Sequence, residues 1–476
     1  MRLRLRSGKQ LRRGLAGLGV VALLLPGLRA AAQTQEGTDE FGEAAKPAKS
    51  ARSGTSAEAE APAEATEMPP PAPPPAAAPS ADEGPYVPFA PTPSPMRIGN
   101  SSTGMQFGIL AQPQFEMVGA PDADLTTKNI FLRRLRFIVG GTLFNTIEFF
   151  MQTDWPDLFK LDPVGTMVFD KNAPGMNIQD AFVTWKLLAP LGERVTRWAD
   201  IKIDAGFMLP PVSHNSLESA AKLYGADYFA NSFRRNLFSI ADPFRNSGES
   251  PVGRDAGVQL RALFVNGHIE VRFGAFQGRR DGAVPASAPN MAVTGGINAP
   301  RFAGRLQINV LDPEPGFFYQ GTYLGAKKVL SLGFFYDFQK QYKYFGGDVF
   351  VDLPVGPGVF TLQANAVQWD GGGYITLPKA KALMGQVGYL IAPARLSPIV
   401  QFERLEGPLI EDPAMPGTGV MIHDPNNPSE DRYGGGLAFW PYGFNSNVKL
   451  YFLRVHRNPA VHDYNQINVQ WQVYVY

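Results

Sequence analysis

Cysteine is absent from all 476 residues, which excludes disulfide frameworks, thiolate metal sites and cysteine nucleophiles. An excess of charge is also absent, because 44 Lys and Arg face 43 Asp and Glu. A formal net charge of +1 argues against a protein that binds nucleic acid through a broad basic surface. Beyond the N-terminal region the sequence has no apolar run of about 18 residues or more, so it predicts no further transmembrane helix.

Residues 1–32 have the composition of a secretory signal peptide. A basic stretch precedes an apolar stretch from Leu15 to Leu28, and small residues at 30–32 precede Gln33. The alternative is a retained membrane anchor. It is disfavoured because Pro26 and Arg29 interrupt a run that is already too short to span a membrane.

Residues 33–95 are rich in proline, alanine, serine and glutamate. Such a segment has too few apolar residues to offset its ordering entropy. The sequence therefore predicts a disordered periplasmic linker, extended around PPPAPPPAAAP. The linker is expected to act as a plain tether, to span part of the periplasm or to contact the peptidoglycan.

Residues 96–476 repeat one pattern, in which apolar and polar residues alternate. In the final stretch, NQINVQWQVYVY, Ile467, Val469 and Trp471 alternate with glutamine and asparagine. A period of two places the two sets on opposite faces of a β-strand. Similar segments lie at 104–118, 129–142, 145–155, 177–187, 199–208, 256–266, 267–278, 301–311, 317–325, 329–339, 342–352, 358–369, 383–392, 396–405, 432–440, 446–457 and 465–476.

These segments predict an all-β protein, a 16-stranded antiparallel transmembrane β-barrel with short periplasmic turns and long extracellular loops. Bacterial barrels have an even number of strands, so one of about seventeen segments must be lost. The alternative, a soluble β-sandwich, would be large for one domain and would leave edges to protect. Aromatic residues near the strand ends suit the interface belts of a membrane barrel: Trp155, Tyr344, Phe345, Trp369, Trp440, Tyr442, Trp471, Tyr474 and Tyr476.

Several stretches resemble the phosphate-selective porin O and P family. FLRRLRFIVGGTLFNTIEFFMQTD (131–154) is similar to the second and third strands of that family, with an Arg-Arg pair at the start and an Asp at the end. IQDAFVTWK (178–186), the Gly-x-x-x-Pro segment with its loop (204–233) and RDAGVQLRALF (254–264) follow in the family order. The resemblance covers most of residues 104–476 and implies an outer-membrane barrel, usually trimeric, that passes small solutes by diffusion.

The sequence departs from that family at its end. The last aromatic residue of outer-membrane barrels usually faces lipid, whereas Tyr474 and Tyr476 share the phase of the glutamines. This predicts either a bulge that shifts the register or an atypical terminal signal. The arginine ladder and lysine cluster of the family also do not stand out.

Charged residues in the polar phase of the strands are the candidate pore-lining and anion-binding groups. The cations are Arg134, Arg136, Lys186, Lys202, Arg261, Arg272, Arg305 and Lys449. The carboxylates in the same phase are Glu116, Glu148, Asp154, Asp180, Asp204, Glu270 and Glu403. Guanidinium groups would bind phosphate in a bidentate manner, but these carboxylates would pair with them or screen them. Both an anion-selective pore and a mixed-charge wall with weak selectivity are consistent with this set.

Residues 210–254 are the candidate constriction loop. If this loop folds into the barrel, Lys222, Arg234 and Arg235 supply positive charge at the narrowest point. If the loop lies outside the barrel, the three side chains are solvated surface cations. The sequence leaves both alternatives open.

No catalytic, metal or cofactor site is predicted, and the protein is expected not to be an enzyme. His214 lies near Ser213 and Ser216, but proximity in sequence is not the geometry of a catalytic triad and no Gly-x-Ser-x-Gly context is present.

The sequence thus predicts an integral porin of the bacterial outer membrane that carries small hydrophilic solutes, with anions such as phosphate as one candidate cargo. The expected partners are outer-membrane lipid, the solutes, further copies in a homotrimer and peptidoglycan through the linker. One alternative is an outer-membrane anchor or adhesion scaffold with little conductance, and another is a soluble secreted β-protein.

Overall fold

A computed structural model describes residues 96–100, 102–120, 125–163, 169–171, 176–229, 253–278, 299–372, 379–424, 429–458 and 463–476. The predicted signal peptide (1–32) and linker (33–95) lie outside the described residues.

In one antiparallel sheet, which also includes the short strand Arg97–Gly99, sixteen strands close on themselves as a barrel. They are β1 (Gly104–Ala120), β2 (Leu125–Leu143), β3 (Ile147–Asp154), β4 (Asn177–Lys186), β5 (Ala199–Met208), β6 (Asp255–Phe264), β7 (Ile269–Phe276), β8 (Arg301–Asn309), β9 (Val329–Gln339), β10 (Tyr342–Val355), β11 (Gly358–Asp370), β12 (Ala380–Ile391), β13 (Leu396–Glu406), β14 (Ser429–Phe439), β15 (Ser446–Asn458) and β16 (Tyr464–Val475). The predicted 16-stranded barrel is therefore confirmed.

Each strand pairs with its neighbours in sequence, and β16 returns to β1 to close the barrel. This seam pairs Ala111 with Val473 and Gln114 with Gln470. Pro113 lies between them and has no N–H to donate. The register of β1 against β2 shifts at the same place, so the closing strand pair contains a local irregularity.

The two rims of the barrel differ. We call the rim where β1 begins and β16 ends the tight rim, and the opposite one the loop rim. Tight turns at the tight rim use residues with positive φ, such as Phe144 and Asn145 at 54° and 57°, as type I′ hairpins require. The longest connections, 155–176, 209–254, 277–300 and 407–428, leave from the loop rim.

In the part of the chain that the structure describes, regular structure outside the barrel strands is short. One α-helix spans Glu193–Thr196, and 3₁₀ turns span Ala189–Leu191, Asn215–Leu217, Ala220–Lys222 and Ala392–Ala394. Small strands lie at Arg97–Gly99, Leu161–Pro163, Phe169–Lys171, Leu409–Glu411 and Met421–His423. Among the described residues, no helix is both long enough and apolar enough to cross a membrane.

The outer face of the barrel is apolar. Phe334, Val400 and Trp471 are 58%, 63% and 52% exposed, whereas the residues that alternate with them on the same strands point inward. Soluble monomers rarely expose a continuous apolar surface of this extent. The surface suits contact with hydrocarbon, because a closed barrel leaves no unpaired backbone edge.

One predicted strand, 317–325, is wrong. The connection between β8 and β9, residues 310–328, starts at the tight rim and turns into the lumen; we call it the rim segment. Leu324 and Gly325 have positive φ values of 50° and 86°, which break the extended conformation. The segment contains a single isolated bridge, between Tyr319 and Glu218, so its alternation reflects packing inside the barrel.

Candidate functional site

The barrel strands place all eight predicted cations in the inward phase. Six of them are almost fully buried: Arg134, Arg136, Arg261, Arg272, Arg305 and Lys449. Lys186 and Lys202 lie toward the tight rim and keep partial exposure. The role of all eight cations in anion binding stays a prediction.

Most of the inward arginines pair with a carboxylate. Arg136 contacts Asp154 at 2.8 Å, and Arg261 contacts Asp204 at 2.9 Å. The further pairs are Arg134 with Asp227, Arg272 with Glu270, Arg305 with Asp348, Arg254 with Asp180 and Arg301 with Asp337. Lys186 pairs with Glu148, and Lys202 with Asp200. The lumen wall is therefore a mixed-charge surface in which these pairs cancel much of the positive potential.

The described part of the predicted constriction loop lies inside the barrel. Residues 209–229, here called the inward loop, leave β5 at the loop rim and are almost entirely buried. Lys449 donates from Nζ to the carbonyl oxygens of Leu223 and Gly225 at 2.7 and 2.8 Å. Gln472 donates to the carbonyl oxygen of Ala221 at 2.8 Å. The barrel wall thus fixes the loop through backbone atoms.

Several aromatic residues predicted for the interface belts lie in the lumen instead. Trp440 is fully buried, stacks on Tyr224 of the inward loop with a ring separation of 6.3 Å and donates to Ser397 Oγ at 3.0 Å. Trp369 packs in a buried cluster with Val212 of the same loop. These rings point inward because the loop supplies an apolar surface there, which alternation alone does not reveal.

The terminal tyrosines also point inward. The seam keeps one register to Val475, so no bulge moves Tyr474 to the lipid side. Both Tyr474 and Tyr476 line a cavity in the lumen, so both rings lie on the lumen side of the barrel.

The rim segment enters the lumen from the tight rim and meets the inward loop. Tyr319 donates its backbone N–H to Leu217 O, and its carbonyl oxygen accepts from Ser219 N, both at 3.0 Å. Gly321 N donates to Lys222 O at 2.9 Å. The two connections, which start from opposite rims, therefore form a short backbone ladder inside the barrel.

Three cavities follow one another through the lumen. A central chamber of about 190 Å³ lies between β2, β3 and the two inward connections. A vestibule of about 320 Å³ toward the loop rim shares Tyr228 with the chamber. A vestibule of about 490 Å³ toward the tight rim shares Phe150, Phe318 and Tyr476 with it. The series extends between the two rims.

The central chamber carries more positive than negative side chains. Arg136, Lys222 and Arg254 line it, with Glu218 as the carboxylate among its lining residues. Burial, with a smaller contribution from nearby Lys327, lowers the pKa of Lys222. Lys222 Nζ also lies 5.9 Å from the ring centroid of Phe444. Arg136 and Arg254 also pair with Asp154 and Asp180, so the positive excess of the chamber is small, and Lys222 is the cation that most directly favours an anion there.

The sequence prediction was incomplete at this site. Arg234 and Arg235 lie outside the described residues. Arg254, directly before β6, lines the chamber but was not among the candidates, although it opens one of the stretches that resemble the porin family. Glu218 was missed because it belongs to a connection, where alternation gives no orientation.

No protein-family model matches the chain, and no curated protein matches it. Solved structures with a similar backbone include an anion-selective porin from Comamonas acidovorans, with a TM-score of 0.48 and 11% identity over 78% of this chain and 99% of that one. Another is OmpT, an outer membrane protein of Vibrio cholerae, with a TM-score of 0.45 and 10% identity over 79% of this chain and 99% of that one. The outer membrane channel DcaP of Acinetobacter baumannii is also similar, with a TM-score of 0.44 and 11% identity over 79% of this chain and 98% of that one. Similarity at this level carries no argument about function, and the barrel follows from the strand pairing itself.

Proposed function

We propose that the protein is an integral outer-membrane barrel that passes small hydrophilic solutes by passive diffusion. The observation that carries the proposal is the series of three cavities between the two rims of a closed barrel with an apolar exterior. In this arrangement the tight rim faces the periplasm and the loop rim faces the outside, as short and long connections do in outer-membrane barrels.

The central chamber supports a preference for anions. Lys222, Arg136 and Arg254 line it together with Glu218. The two guanidinium groups pair with Asp154 and Asp180, and their planar shape matches oxyanions. Phosphate is the candidate cargo that the resemblance to phosphate-selective porins implies. The arginine–carboxylate pairs of the wall, those of the chamber included, support a moderate preference.

Single-channel recording in a planar bilayer tests the proposal. In a potassium chloride gradient, discrete steps with a reversal potential toward that of chloride are expected, and added phosphate should reduce the current. Steps with a reversal potential near zero would retain the pore and remove the anion preference. A folded barrel without steps would contradict the porin function.

An anchor or scaffold with little conductance is the second candidate. The observation that favours it is the extent to which the inward loop and the rim segment occupy the lumen, with residues as large as Tyr224 and Tyr319 fully buried between them. Solute uptake into vesicles containing the barrel separates the two functions, because an anchor would leave the vesicles impermeable.

Two assembly features remain predictions from the sequence. We propose a homotrimer, as the porin resemblance implies, and mass measurement of the detergent-solubilised protein tests it. We also propose that the 33–95 linker contacts peptidoglycan. Co-sedimentation of the full chain, compared with a barrel that lacks residues 33–95, tests this contact.

A further inference from the structure

The rim segment and the inward loop meet at a buried histidine. His214 Nδ1 lies 3.2 Å from Glu218 of its own loop, and Nε2 lies 3.1 Å from Glu314 of the rim segment. The imidazole ring is stacked between Tyr319 and Phe350, with ring separations of 4.7 and 4.3 Å. One imidazole thus joins two connections that start from opposite rims.

The two carboxylates have further donors around them. Glu314 accepts from Tyr323 Oη at 2.8 Å and from Gln307 Nε2 at 3.0 Å. Glu218 accepts from Asn215 Nδ2 at 3.4 Å. The carboxylate charges are therefore held in a hydrogen-bonded network, as burial requires.

We propose that the rim segment is a second constriction element, fastened to the inward loop by His214 bridging Glu218 and Glu314. Both connections line the central chamber, with Phe318 and Tyr319 from the rim segment facing Glu218 of the loop. The position of the rim segment therefore sets the width of the chamber. This inference rests on the proposed solute passage only where conductance is measured. The contact between the two connections can be tested without it.

The bridge requires a charged imidazole. Both ring nitrogens face carboxylates, and only the imidazolium form donates from both. Burial opposes this charge, but Glu314 and Glu218 raise the pKa of His214 to about 9. A raised pKa means that the fastening is complete below the ordinary value near 6.5 and is lost as the pH rises through about 9.

The other charged groups around the bridge do not duplicate it. From the barrel wall, Asp348 accepts the backbone N–H of His214 at 2.9 Å and pairs with Arg305. Burial raises the pKa of Tyr319 and of Tyr323, so both phenols stay neutral over the range that matters.

Two charged groups lie at the edges of the rim segment. Asp352 of β10 accepts from Thr322 Oγ1 at 3.1 Å, and Lys327 donates to Pro313 O at 2.8 Å. A Lys327→Arg variant keeps a cation at this position at alkaline pH, so a pH effect that persists in it does not come from Lys327.

Thiol accessibility tests the fastening without any conductance, since the chain contains no native cysteine. Thr322→Cys places a probe in the buried part of the rim segment, and Ser397→Cys places a control of equal burial under Trp440. Because the thiol itself reacts faster as pH rises, the measured quantity is the ratio of the two modification rates. We expect this ratio to increase about tenfold between about pH 7 and about pH 10.5.

Variants of the bridge separate its charge from its contacts. A Glu218→Gln/Glu314→Gln double variant should lose the pH dependence of the rate ratio, because a neutral histidine then has no buried carboxylates to satisfy. His456→Asn, at an exposed histidine that contacts Asp463 at 2.8 Å, is the matched control and should keep the dependence. Single-channel conductance of the unmodified chain should increase over the same pH range.

The outcomes are distinguishable. A rate ratio that is constant with pH, or that changes equally in the double variant, overturns the fastening whether or not the barrel conducts. A rate ratio that rises while conductance stays constant keeps the bridge but overturns the role of the rim segment in setting the width. A barrel that shows no steps at any pH contradicts the porin function and leaves the thiol result to decide the bridge.

Discussion

Lys449 Nζ, on β15, donates a hydrogen bond of 2.7 Å to the carbonyl oxygen of Leu223 in the inward loop. Lys449 and Leu223 are 226 residues apart in sequence. The contact is buried, so it is electrostatically stronger than the same hydrogen bond at the surface. Lys449, which the sequence predicted to line the pore, therefore supports the inward loop that narrows the pore.

Replacing Lys449 by methionine should therefore loosen the inward loop. The carbonyl oxygens of Leu223 and Gly225 would each lose a donor, and we expect the free energy of unfolding to fall by about 1–3 kcal/mol. Thermal unfolding in detergent measures this change. Lys343→Met, at an exposed position near the loop rim, is the control. An equal effect of both substitutions would contradict a specific support.

Replacing Lys222 by glutamine should reduce the anion preference. Lys222 lines the central chamber, so its loss removes positive potential where the passage is enclosed. We expect the anion-to-cation permeability ratio from reversal potentials to fall about twofold to fivefold. Lys343→Gln outside the barrel should leave the ratio unchanged. An unchanged ratio in Lys222→Gln would place the selectivity elsewhere.

Replacing Asp227 by asparagine should act in the opposite direction. Asp227 contacts Arg133 at 2.8 Å and Arg134 at 2.5 Å, and its neutralisation exposes positive charge beside the vestibule of the loop rim. The permeability ratio should shift toward anions and the current should become more sensitive to phosphate. Asp431→Asn, whose partner Arg404 lies 3.9 Å away at an exposed position, is the control. A shift toward cations in Asp227→Asn would refute this electrostatic assignment.

Replacing Phe334 by arginine should impair membrane insertion. Phe334 lies in the middle of β9 on the outer face and is 58% exposed, where an arginine at the bilayer midplane costs about 2–4 kcal/mol. Phe338→Arg, nearer the loop rim on the same strand, should cost about 1 kcal/mol or less. The folded fraction after refolding into lipid vesicles measures both. Equal yields would be inconsistent with a lipid-facing belt.

The alternation of residues predicted the barrel because a strand has only two faces and the solvents on those faces differ. The same rule placed Arg134 and Arg136 inward correctly. It failed at 317–325, where glycines and positive φ values interrupt the extended chain. Alternation there comes from packing against the inward loop.

The candidate site was predictable only where it belongs to strands. Glu218, His214 and Glu314 lie in connections, whose side-chain directions depend on tertiary contacts made across the lumen. Trp440 likewise faces inward because Tyr224 covers it. The strand pattern contains no information about a loop that folds back inside.

The seam between β1 and β16 has a consequence for biogenesis. Its paired side chains Gln114 and Gln470 are 356 residues apart, so this is a contact of very high sequence separation, and such contacts form slowly. Every other strand pair can assemble as a hairpin before it. Because Pro113 also removes one donor from this strand pair, zipping of the first strand onto the last is expected to be the final and rate-limiting step of assembly.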